Sequence, residues 1–371
     1  MVTTYFQILW ASWKTFGFGK TTLRWLLAET LFRFFTFMTM TLDNVFFPKL
    51  RNVEVKNPIF IIGHPRSGTT FLHKVLTSNG DFVAFKTWQL FFPALTARVL
   101  VRPLINTAIQ KKGGVIVPAE TGHEIALDKV EEEEFLFLHI LDTQFVEAGT
   151  PLGFNRKRAE RCLHDEQSRK HRLRSVNFLK RCFQRQLYAT GKSQLIGQTH
   201  FSTHRIKTIL EVFPDAKFIY LVRSPLETLP SFFSLLYKSI DFHEGIKNID
   251  ADRLQRYFAH RYEVSKSIYH YFEELLRKGE ITDNQAIVLP YQELVSDLST
   301  AFEKLIAFTG LRVSEELRQK VAKQAERQKD YSRKHDLMEL HEFGITPEQI
   351  RQDFKLIFDK YGFETAIQPG Y

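Results

Sequence analysis

From residue 55 onward, apolar residues come in short, β-prone runs that alternate with longer amphipathic segments. The runs predict strands at 55–63, 193–199, 216–223 and 285–291. The segments between them predict helices at 69–77, 128–141, 156–190, 203–213, 225–239, 252–278 and 297–308. Strands that alternate with helices favour a parallel sheet covered on both faces. The sequence therefore predicts a single α/β domain over residues 51–371, with residues 80–118 as an aromatic, loop-like segment.

The first fifty residues lack this alternation, and we predict a helical, aromatic-rich extension over residues 1–50. The stretch WLLAETLFRFFTFMTMTL (25–42) is strongly apolar, but Glu29 and Arg33 interrupt it, so it makes a poor membrane span. Two interpretations remain open. The helices either pack on the core of the domain, or they lie at a membrane surface, with Trp10, Trp13 and Trp25 at the level of the headgroups.

The charged residues, the N-terminus and the cysteines bear on the partners and the location of the protein. The chain of 371 residues has a net charge of +9, which is typical of proteins that bind nucleotides, anionic membranes or nucleic acids. Residues 1–56 hold seven Lys/Arg against three Asp/Glu, which favours membrane contact. The N-terminus has no secretory-signal pattern. Cys162 and Cys182 form neither a metal pattern nor a disulfide framework, so we expect a cytoplasmic protein.

Ligands of parallel sheets bind beyond the carboxyl ends of the strands. The first such end reads IFIIGHPRSGTTFL (59–72), which has the strand–loop–helix layout of a phosphate loop. Both glycines and Thr70 fit that pattern, but Thr69 replaces its lysine and Arg66 lies inside the loop. Backbone N–H groups from about Arg66 to Thr70 would converge on an anion at the start of a helix. An ordinary strand-to-helix turn is the alternative.

A kinase or NTPase would need an aspartate for Mg²⁺ at the end of a nearby strand. None of the predicted strands ends in one, and KFIYLVRS ends in Arg223, which would repel a metal. We therefore expect an anion that is bound without a metal.

The stretch LVRSPLETLPS (221–231) predicts a second anion site. Ser224 and Glu227 predict a capping box around Pro225 at the start of a helix. Ser231 lies two turns beyond this cap, on the same side of the helix, so Arg223 and Ser231 could share one anion. A salt-bridged arginine and a solvated serine are the alternative.

The two motifs together resemble the sulfotransferases that use 3′-phosphoadenosine 5′-phosphosulfate (PAPS). The resemblance covers about residues 55–365 and is closest to the bacterial branch, in EVFPDAKFIYLVRSPLETLPSFFSL (211–235) and HEFGITPEQIRQDF (341–354). It implies a P-loop NTPase-like sulfotransferase fold, with PAPS as co-substrate and no metal. The residues implied to hold the 5′-phosphosulfate are Arg66, Ser67, Gly68, Thr69 and Thr70. Arg223 and Ser231 are implied to hold the 3′-phosphate.

The resemblance also implies a general base. Cytosolic members carry Lys-Thr-His where this chain has Gln198-Thr199-His200, so we predict His200 as the base, with Arg66 stabilising the phosphosulfate in place of the missing lysine. The bacterial branch would place its histidine at Ser202. Rival bases are His204 and one of Glu131–Glu134, although most of these four glutamates are expected to be solvent-facing charges at a helix N-terminus. His200 and His204 could also form half a metal site, for which no third ligand is evident.

Near the C-terminus, RQKDYSRKHD (327–336) resembles the basic loop that family members close over the 3′-phosphate. Its candidate residues are Arg327, Lys329, Arg333 and Lys334, and a solvated helix end is the alternative. Tyr291 follows the last strand, where it lies either near the adenine or in the core.

The acceptor is the least defined partner. Aromatic residues at 1–50 and 82–105 (Phe82, Phe85, Trp88, Phe91 and Phe92) either line an apolar cavity or form core. A cavity would favour a lipophilic alcohol, such as a sterol, lipid or glycolipid. The alternatives are a carbohydrate acceptor or a P-loop kinase of a small molecule. We expect peripheral contact with the inner face of the membrane and no nucleic-acid partner.

Overall fold

The computed structural model describes residues 2–155, 163–328 and 337–363. Its strands are β1 (Ile59–Gly63), β2 (Val115–Val117), β3 (Ile125–Ala126), β4 (Ile196–Gln198), β5 (Lys217–Val222) and β6 (Ala286–Pro290). Strands β4, β1, β5 and β6 lie side by side in that order and are parallel, whereas β2 and β3 form a separate antiparallel pair. The predicted α/β fold is confirmed, with each of the four predicted strands shorter than its sequence run.

Helices cover both faces of this sheet. In chain order they are α1 (Val2–Phe16), α2 (Lys20–Leu23), α3 (Glu29–Phe46), α4 (Thr69–Leu76), α5 (Thr87–Phe91), α6 (Leu95–Lys112), α7 (Phe145–Ala148), α8 (Arg169–Thr190), α9 (Ile206–Val212), α10 (Pro225–Glu244), α11 (Ala251–Arg277), α12 (Tyr291–Ser296), α13 (Leu298–Thr309), α14 (Glu315–Gln328), α15 (Pro347–Asp353) and α16 (Lys355–Tyr361). A π-helical turn, Arg24–Ala28, connects α2 to α3. Short 3-10 helices include Glu133–Ile140 and His200–Arg205.

The strands divide the core into two clusters, because successive side chains of a strand point to opposite faces of the sheet. Phe60 and Ile62 of β1 lie in one cluster, which includes Phe183, Phe218 and many residues of α8, α10 and α11. Ile59 and Ile61 lie in the other, with Leu72 of α4 and residues of α13 and α14. The strands are thus buried on both sides, as their continuous apolar runs predict.

The N-terminal helices pack on the domain along one face. Ile8, Ala11 and Trp25 form a buried cluster with Leu141, Val146 and Leu152. Trp25 is only 4% exposed, so its predicted position at a membrane surface is wrong, whereas Trp10 and Trp13 are 60% and 46% exposed. Within residues 2–155, 163–328 and 337–363, no helix combines the length and the apolar character needed to cross a bilayer.

Two further sequence expectations need correction. The segment 80–118 is not loop-like, because α6 occupies 18 of its residues with Pro103 inside it. The buried carboxylate of Asp43 accepts hydrogen bonds from the N–H groups of Leu95 and Thr96 (3.0 and 2.8 Å), which stabilises the start of this helix from outside its own sequence.

The predicted helix at 128–141 begins only at Glu133, as a 3-10 helix. The residues before it pair with another part of the chain: Val130 forms a bridge with Lys86, and Glu131 N–H donates to the carbonyl of Phe85 (3.1 Å). The predicted helix at 156–190 is confirmed from Arg169 onward, while residues 156–162, with Cys162, lie outside the described residues.

Candidate active site

The phosphate-loop residues 64–68 connect β1 to α4, and glycines define their path. A Cβ atom on Gly63 would lie 2.3 Å from the carbonyl oxygen of Leu221, on the neighbouring strand. Gly68 has φ 92°, and a Cβ there would lie 2.9 Å from the ring of Tyr291. Arg66 also adopts a positive φ, of 74°. This tight loop delivers the chain into the first turn of α4, where N–H groups without helical partners favour an anion.

Arg66 connects the two predicted anion sites. Its Nε atom donates to Ser231 Oγ (2.9 Å), and its carbonyl oxygen accepts a bond from Nη1 of Arg223 (3.3 Å). Arg223 and Ser231 therefore both contact Arg66, so one extended ligand with two anionic groups could reach both sites.

Arg223 is held in place by two neighbours. Its Nε and Nη2 atoms contact Glu227 Oε2 at 2.7 and 2.6 Å. The predicted capping box is therefore wrong: Glu227 pairs with this arginine, and Ser224 forms no side-chain cap. The guanidinium lies 4.0 Å from the ring centre of Tyr291. Tyr291 is half-buried and lies between Gly68 and Arg223, beside both anion sites rather than in the core.

His200 lies just beyond β4, and its two ring nitrogens face different partners. Nε2 pairs with the carboxylate of Glu132. Nδ1 lies 3.3 Å from the hydroxyl oxygen of Thr69, in the phosphate-loop motif. Such a pair fixes the tautomer: Nε2 keeps its proton for the carboxylate, and Nδ1 presents its lone pair to the phosphate loop.

Burial opposes the protonation of His200, but the Glu132 carboxylate, with Glu134 and Glu131 nearby, outweighs it and raises the pKa of the imidazole. His204 differs. Burial lowers its pKa to about 4, its Nε2 faces Ser267 Oγ (3.3 Å), and it does not line the cavity described below. Ser202 donates to Glu134 Oε2 (2.8 Å). The structure thus brings His200, but not His204, to the phosphate loop.

All four glutamates of the run 131–134 are buried, contrary to the expectation of solvent-facing charges. Each has a different partner. Glu131 lies 3.1 Å from His123 Nε2, and Glu132 pairs with His200. Glu133 accepts bonds from the N–H groups of Phe85 and Gln198, and burial raises its pKa to about 8. Glu134 binds Arg205 Nη1 (3.1 Å). The run therefore anchors the segment around β4, including His200.

Gln198 occupies the position where the resemblance implies a lysine. Its amide nitrogen donates to the hydroxyl oxygens of Thr70 (2.9 Å) and Thr69 (3.3 Å). It therefore reaches the phosphate loop without bringing a positive charge. The cation within the loop itself is Arg66, and its larger role stays a prediction.

Ser231 lines a small separate pocket that it shares with Arg66, whereas the phosphate loop, His200 and Arg223 line one cavity of about 1480 Å³. Ligand pockets commonly have volumes of about 300–1,000 Å³, so there is room for two reactants. Its polar lining includes Arg66, Thr69, Thr70, Glu132, His200 and Arg223. Its apolar lining includes Phe71, Phe145, Phe201, Leu226, Phe232 and Leu235.

The aromatic residues of segment 82–105 do not line this cavity. Phe82 and Phe85 are buried in the two core clusters, so the alternative that these residues form core is the better one for them. The cavity wall comes instead from α7, the 3-10 helix at 200–205 and α10. Phe145 lies close to the predicted base, with ring centroids 6.3 Å from His200 and 5.1 Å from Phe201.

Of the basic C-terminal residues, Arg327 lies in the last turn of α14, next to the cavity-lining Gln324 and Gln328. Lys329, Arg333 and Lys334 lie outside the described residues. Residues 337–341 and 361–363 also line the cavity, so the C-terminal segment forms part of its wall.

A group with metal-binding geometry occurs among the described residues. Potential ligand atoms of Asp142, His164 and His171 lie within 4.8 Å of one another. Each histidine Nε2 lies 3.1 Å from an Asp142 oxygen, so hydrogen bonds to the carboxylate account for the arrangement. None of the three residues lines the cavity.

Comparisons with known proteins agree with this geometry. A model of the sulfotransferase family matches residues 58–315. The omega-hydroxy-beta-dihydromenaquinone-9 sulfotransferase Stf3 of Mycobacterium tuberculosis, like that of Mycobacterium bovis, is 26% identical over 318 residues, which are 83% of this chain and 75% of the relative.

Solved structures show the same fold. Sulfotransferase STF1 of Mycobacterium tuberculosis superposes with a TM-score of 0.70 at 16% identity, over 95% of this chain and 91% of the other. Sulfotransferase STF9 of Mycobacterium avium also gives 0.70, at 17% identity, over 88% of this chain and 82% of the other.

Proposed function

The chain belongs to the sulfotransferase family and is a sulfotransferase; from that premise we propose that it transfers a sulfuryl group from PAPS to a hydroxyl of a lipophilic acceptor. One observation carries the proposal. A single cavity holds the phosphate loop, the His200–Glu132 pair and an apolar wall, so donor, base and acceptor can meet in it.

The donor would lie across the two anion sites. The 5′-phosphosulfate fits the phosphate loop, where Arg66, Ser67, Gly68, Thr69 and Thr70 supply N–H groups, hydroxyls and a guanidinium. The 3′-phosphate would be held by Arg223 and Ser231, each of which contacts Arg66. Tyr291, against the Arg223 guanidinium, offers a ring beside the nucleotide. Arg333 and Lys334 remain candidates for the 3′-phosphate from the resemblance alone.

His200 would act as the general base at Nδ1. The acceptor oxygen forms a bond to sulfur, the bond between sulfur and the 5′-phosphate oxygen breaks, and the hydroxyl proton passes to Nδ1. Glu132 at Nε2 would orient the ring and stabilise the imidazolium, as the carboxylate does in a Ser-His-Asp triad. The leaving phosphate keeps the electrons of the broken bond, so its negative charge grows beside Arg66 and the N–H groups of the loop.

The apolar wall supports a lipophilic acceptor. Phe145 and Phe201 lie beside His200, so an alcohol that reaches the base would have its hydrocarbon part against aromatic rings. The relative Stf3 is named for a menaquinone-derived acceptor, which is also a lipid. Such acceptors reside in membranes, so the proposal includes a cytoplasmic enzyme that contacts the inner face of the membrane.

We also propose that residues 51–371 form the catalytic domain and residues 1–50 an added region. The family match begins at residue 58, beyond the N-terminal helices, which supports this division.

Radiolabelled PAPS, incubated with separate lipid, sterol and glycan fractions, tests the proposed function. We expect label in a lipid or sterol product, and far slower labelling with His200→Ala. Label confined to a water-soluble glycan would overturn the lipophilic acceptor and leave the carbohydrate alternative. The kinase alternative predicts stabilisation by ATP with Mg²⁺ rather than by PAPS, which a thermal-shift measurement distinguishes; the family match does not favour it.

A further inference from the structure

The N-terminal helices carry an apolar surface that the domain does not cover. From α2 through α3, exposed apolar residues recur at intervals of three, four or seven positions; these residues, here called the apolar stripe, are Leu23, Leu27, Leu31, Phe34, Met38 and Val45. Residues at this spacing lie on one face of a helix. The opposite face, with Thr22, Trp25, Thr36, Met40 and Asp43, is buried against the rest of the protein.

Helix α1 adds a second exposed face of the same kind. Phe6, Trp10 and Trp13 lie on consecutive turns and are 59%, 60% and 46% exposed, whereas Ile8 and Ala11 are buried. Trp10 and Trp13 pack against each other, with ring centroids 5.0 Å apart. Contiguous exposed apolar surface of this kind marks an interaction site. Tryptophan is the residue most suited to the headgroup level of a bilayer.

The exposed charged side chains of these helices are all positive. Residues 2–46 contain two acids: Glu29 is paired with Arg33 (3.3 Å), and Asp43 is buried against Arg185 (2.7 Å). The exposed charges of this region are Lys14, Lys20 and Arg24. Lys14 lies one turn beyond Trp10, and Lys20 and Arg24 each lie one turn before a leucine of the apolar stripe.

We propose that the apolar stripe and the exposed face of α1 form a docking surface for an anionic lipid bilayer. Aromatic and aliphatic side chains would enter the headgroup–acyl boundary, and the three cations would lie at the lipid phosphates. A second copy of this surface would meet it with the same positive charge, whereas an anionic bilayer supplies the opposite one. The proposal extends the function proposed above by naming the surface, but its observations do not depend on that function.

Sedimentation of the full chain with vesicles tests the surface. We expect binding to phosphatidylcholine vesicles that contain phosphatidylglycerol, weaker binding to phosphatidylcholine alone, and a blue shift of tryptophan emission on binding. Trp10→Ser with Trp13→Ser should abolish both signals. Lys14→Glu with Lys20→Glu and Arg24→Glu should abolish the preference for anionic vesicles. Retained stabilisation by 3′-phosphoadenosine 5′-phosphate (PAP) would show that each variant is folded.

Two matched controls complete the test. Leu356→Ser removes an exposed leucine from α16, and Lys170→Glu with Arg174→Glu reverses exposed charges on α8. Vesicle binding that is lost only in the α8 variant would overturn the proposal in favour of that basic helix. A dimer that the Trp10/Trp13 variant converts to monomer, without any vesicle binding, would assign the surface to a second copy. Vesicle binding without sulfuryl transfer to any fraction would leave this inference standing and overturn the proposed function.

Discussion

The hydroxyl oxygen of Thr69 lies 3.3 Å from Nδ1 of His200, and this contact joins the phosphate-loop motif to the proposed base. Thr69 follows β1 and His200 follows β4, and these strands are neighbours in the sheet. Parallel strands present their carboxyl ends at one edge, so two motifs that are 131 positions apart converge there. A sulfuryl group held by the loop would lie beside the atom that we propose takes the acceptor proton.

The first prediction concerns the base itself. His200→Ala should lower kcat by about 10²–10⁴-fold, the usual contribution of general acid–base catalysis. Stabilisation by PAP should persist, because His200 is not among the residues that would hold the nucleotide. His243→Ala, on an exposed position of α10, is the matched control. Near-normal turnover of His200→Ala would contradict the assignment.

The second prediction concerns Glu132. Because the Glu132 carboxylate raises the pKa of His200, activity of the wild-type enzyme should rise with pH through a value above 6.5 as His200 loses its proton. Glu132→Gln removes that negative charge, so the pKa of His200 should fall and the acidic limb of log(kcat/KM) against pH should move to lower pH. At the plateau, kcat should be reduced less than in His200→Ala, since the base remains but its orientation is weaker.

The same profile separates Glu132 as a positioning residue from Glu132 as the base. If the glutamate itself took the proton, Glu132→Gln would be inactive at every pH, with no shifted limb. If Glu132→Gln kept full activity and its acidic limb stayed at the wild-type pH, Glu132 would have no influence on the pKa of His200. Glu120→Gln serves as a control for the loss of a carboxylate outside the cavity lining.

The sequence predicted those parts of the site whose conformation is determined by residues close to them in the chain. Gly63, Gly68 and the strand-to-helix turn follow from backbone geometry within ten residues, and Arg223 follows directly after a strand of obvious apolar character. The partner of His200 has no such local signal. Glu132 belongs to a charged run that sequence rules assign to solvent, and only the pairing of residues 130–131 with 85–86 turns that run inward.

Helix α6 likewise depends on residues that are distant in the sequence. Its sequence contains Pro103 and ends at two glycines, which sequence rules treat as breakers. The start of the helix is stabilised by Asp43, which is more than fifty positions away and itself held by Arg185. Long-range caps of this kind are invisible to any pattern of neighbouring residues, which is why segment 80–118 was predicted as a loop.

The third prediction concerns the 3′-phosphate. Arg223→Ala should weaken PAP binding by about 10–100-fold, as expected for the loss of charge-assisted hydrogen bonds. Binding of adenosine 5′-phosphosulfate, which lacks the 3′-phosphate, should be weakened much less. The variant should therefore lose the preference of the wild-type enzyme for PAPS over this analogue. Arg318→Ala, at a half-buried position of α14 where the arginine pairs with Glu303, is the control. An unchanged preference would show that Arg223 contacts another part of the nucleotide.

The fourth prediction tests the tight approach of the loop to Tyr291. Gly68→Ala adds a Cβ 2.9 Å from the tyrosine ring at φ 92°, so the loop must move and PAP binding should be lost. Gly310→Ala is a matched control, because φ is 70° there but no atom lies within 4 Å of the added Cβ. Both variants should lose stability by about 1–2 kcal/mol from the left-handed conformation. Equal PAP binding by the two variants would show that Tyr291 tolerates the extra atom.

The last prediction concerns the cation that the resemblance implies and Gln198 replaces. Gln198 is fully buried and binds the hydroxyls of Thr69 and Thr70, so Gln198→Lys would bring an ammonium group to the phosphate loop. Without ligand the new charge should lower the melting temperature, because an ammonium group at this buried position loses its hydration.

PAP should compensate that loss, since its 5′-phosphate would pair with the new cation. A hydrogen bond between charged groups adds about 1.5–3 kcal/mol, so PAP should bind about 10–100-fold more tightly to Gln198→Lys than to the wild type. Gln198→Met removes the same hydrogen bonds without adding charge and should show no such gain. If PAP stabilised Gln198→Lys no more than Gln198→Met, the anion would not lie beside residue 198, and the phosphate loop would have to hold it on the side of Arg66 alone.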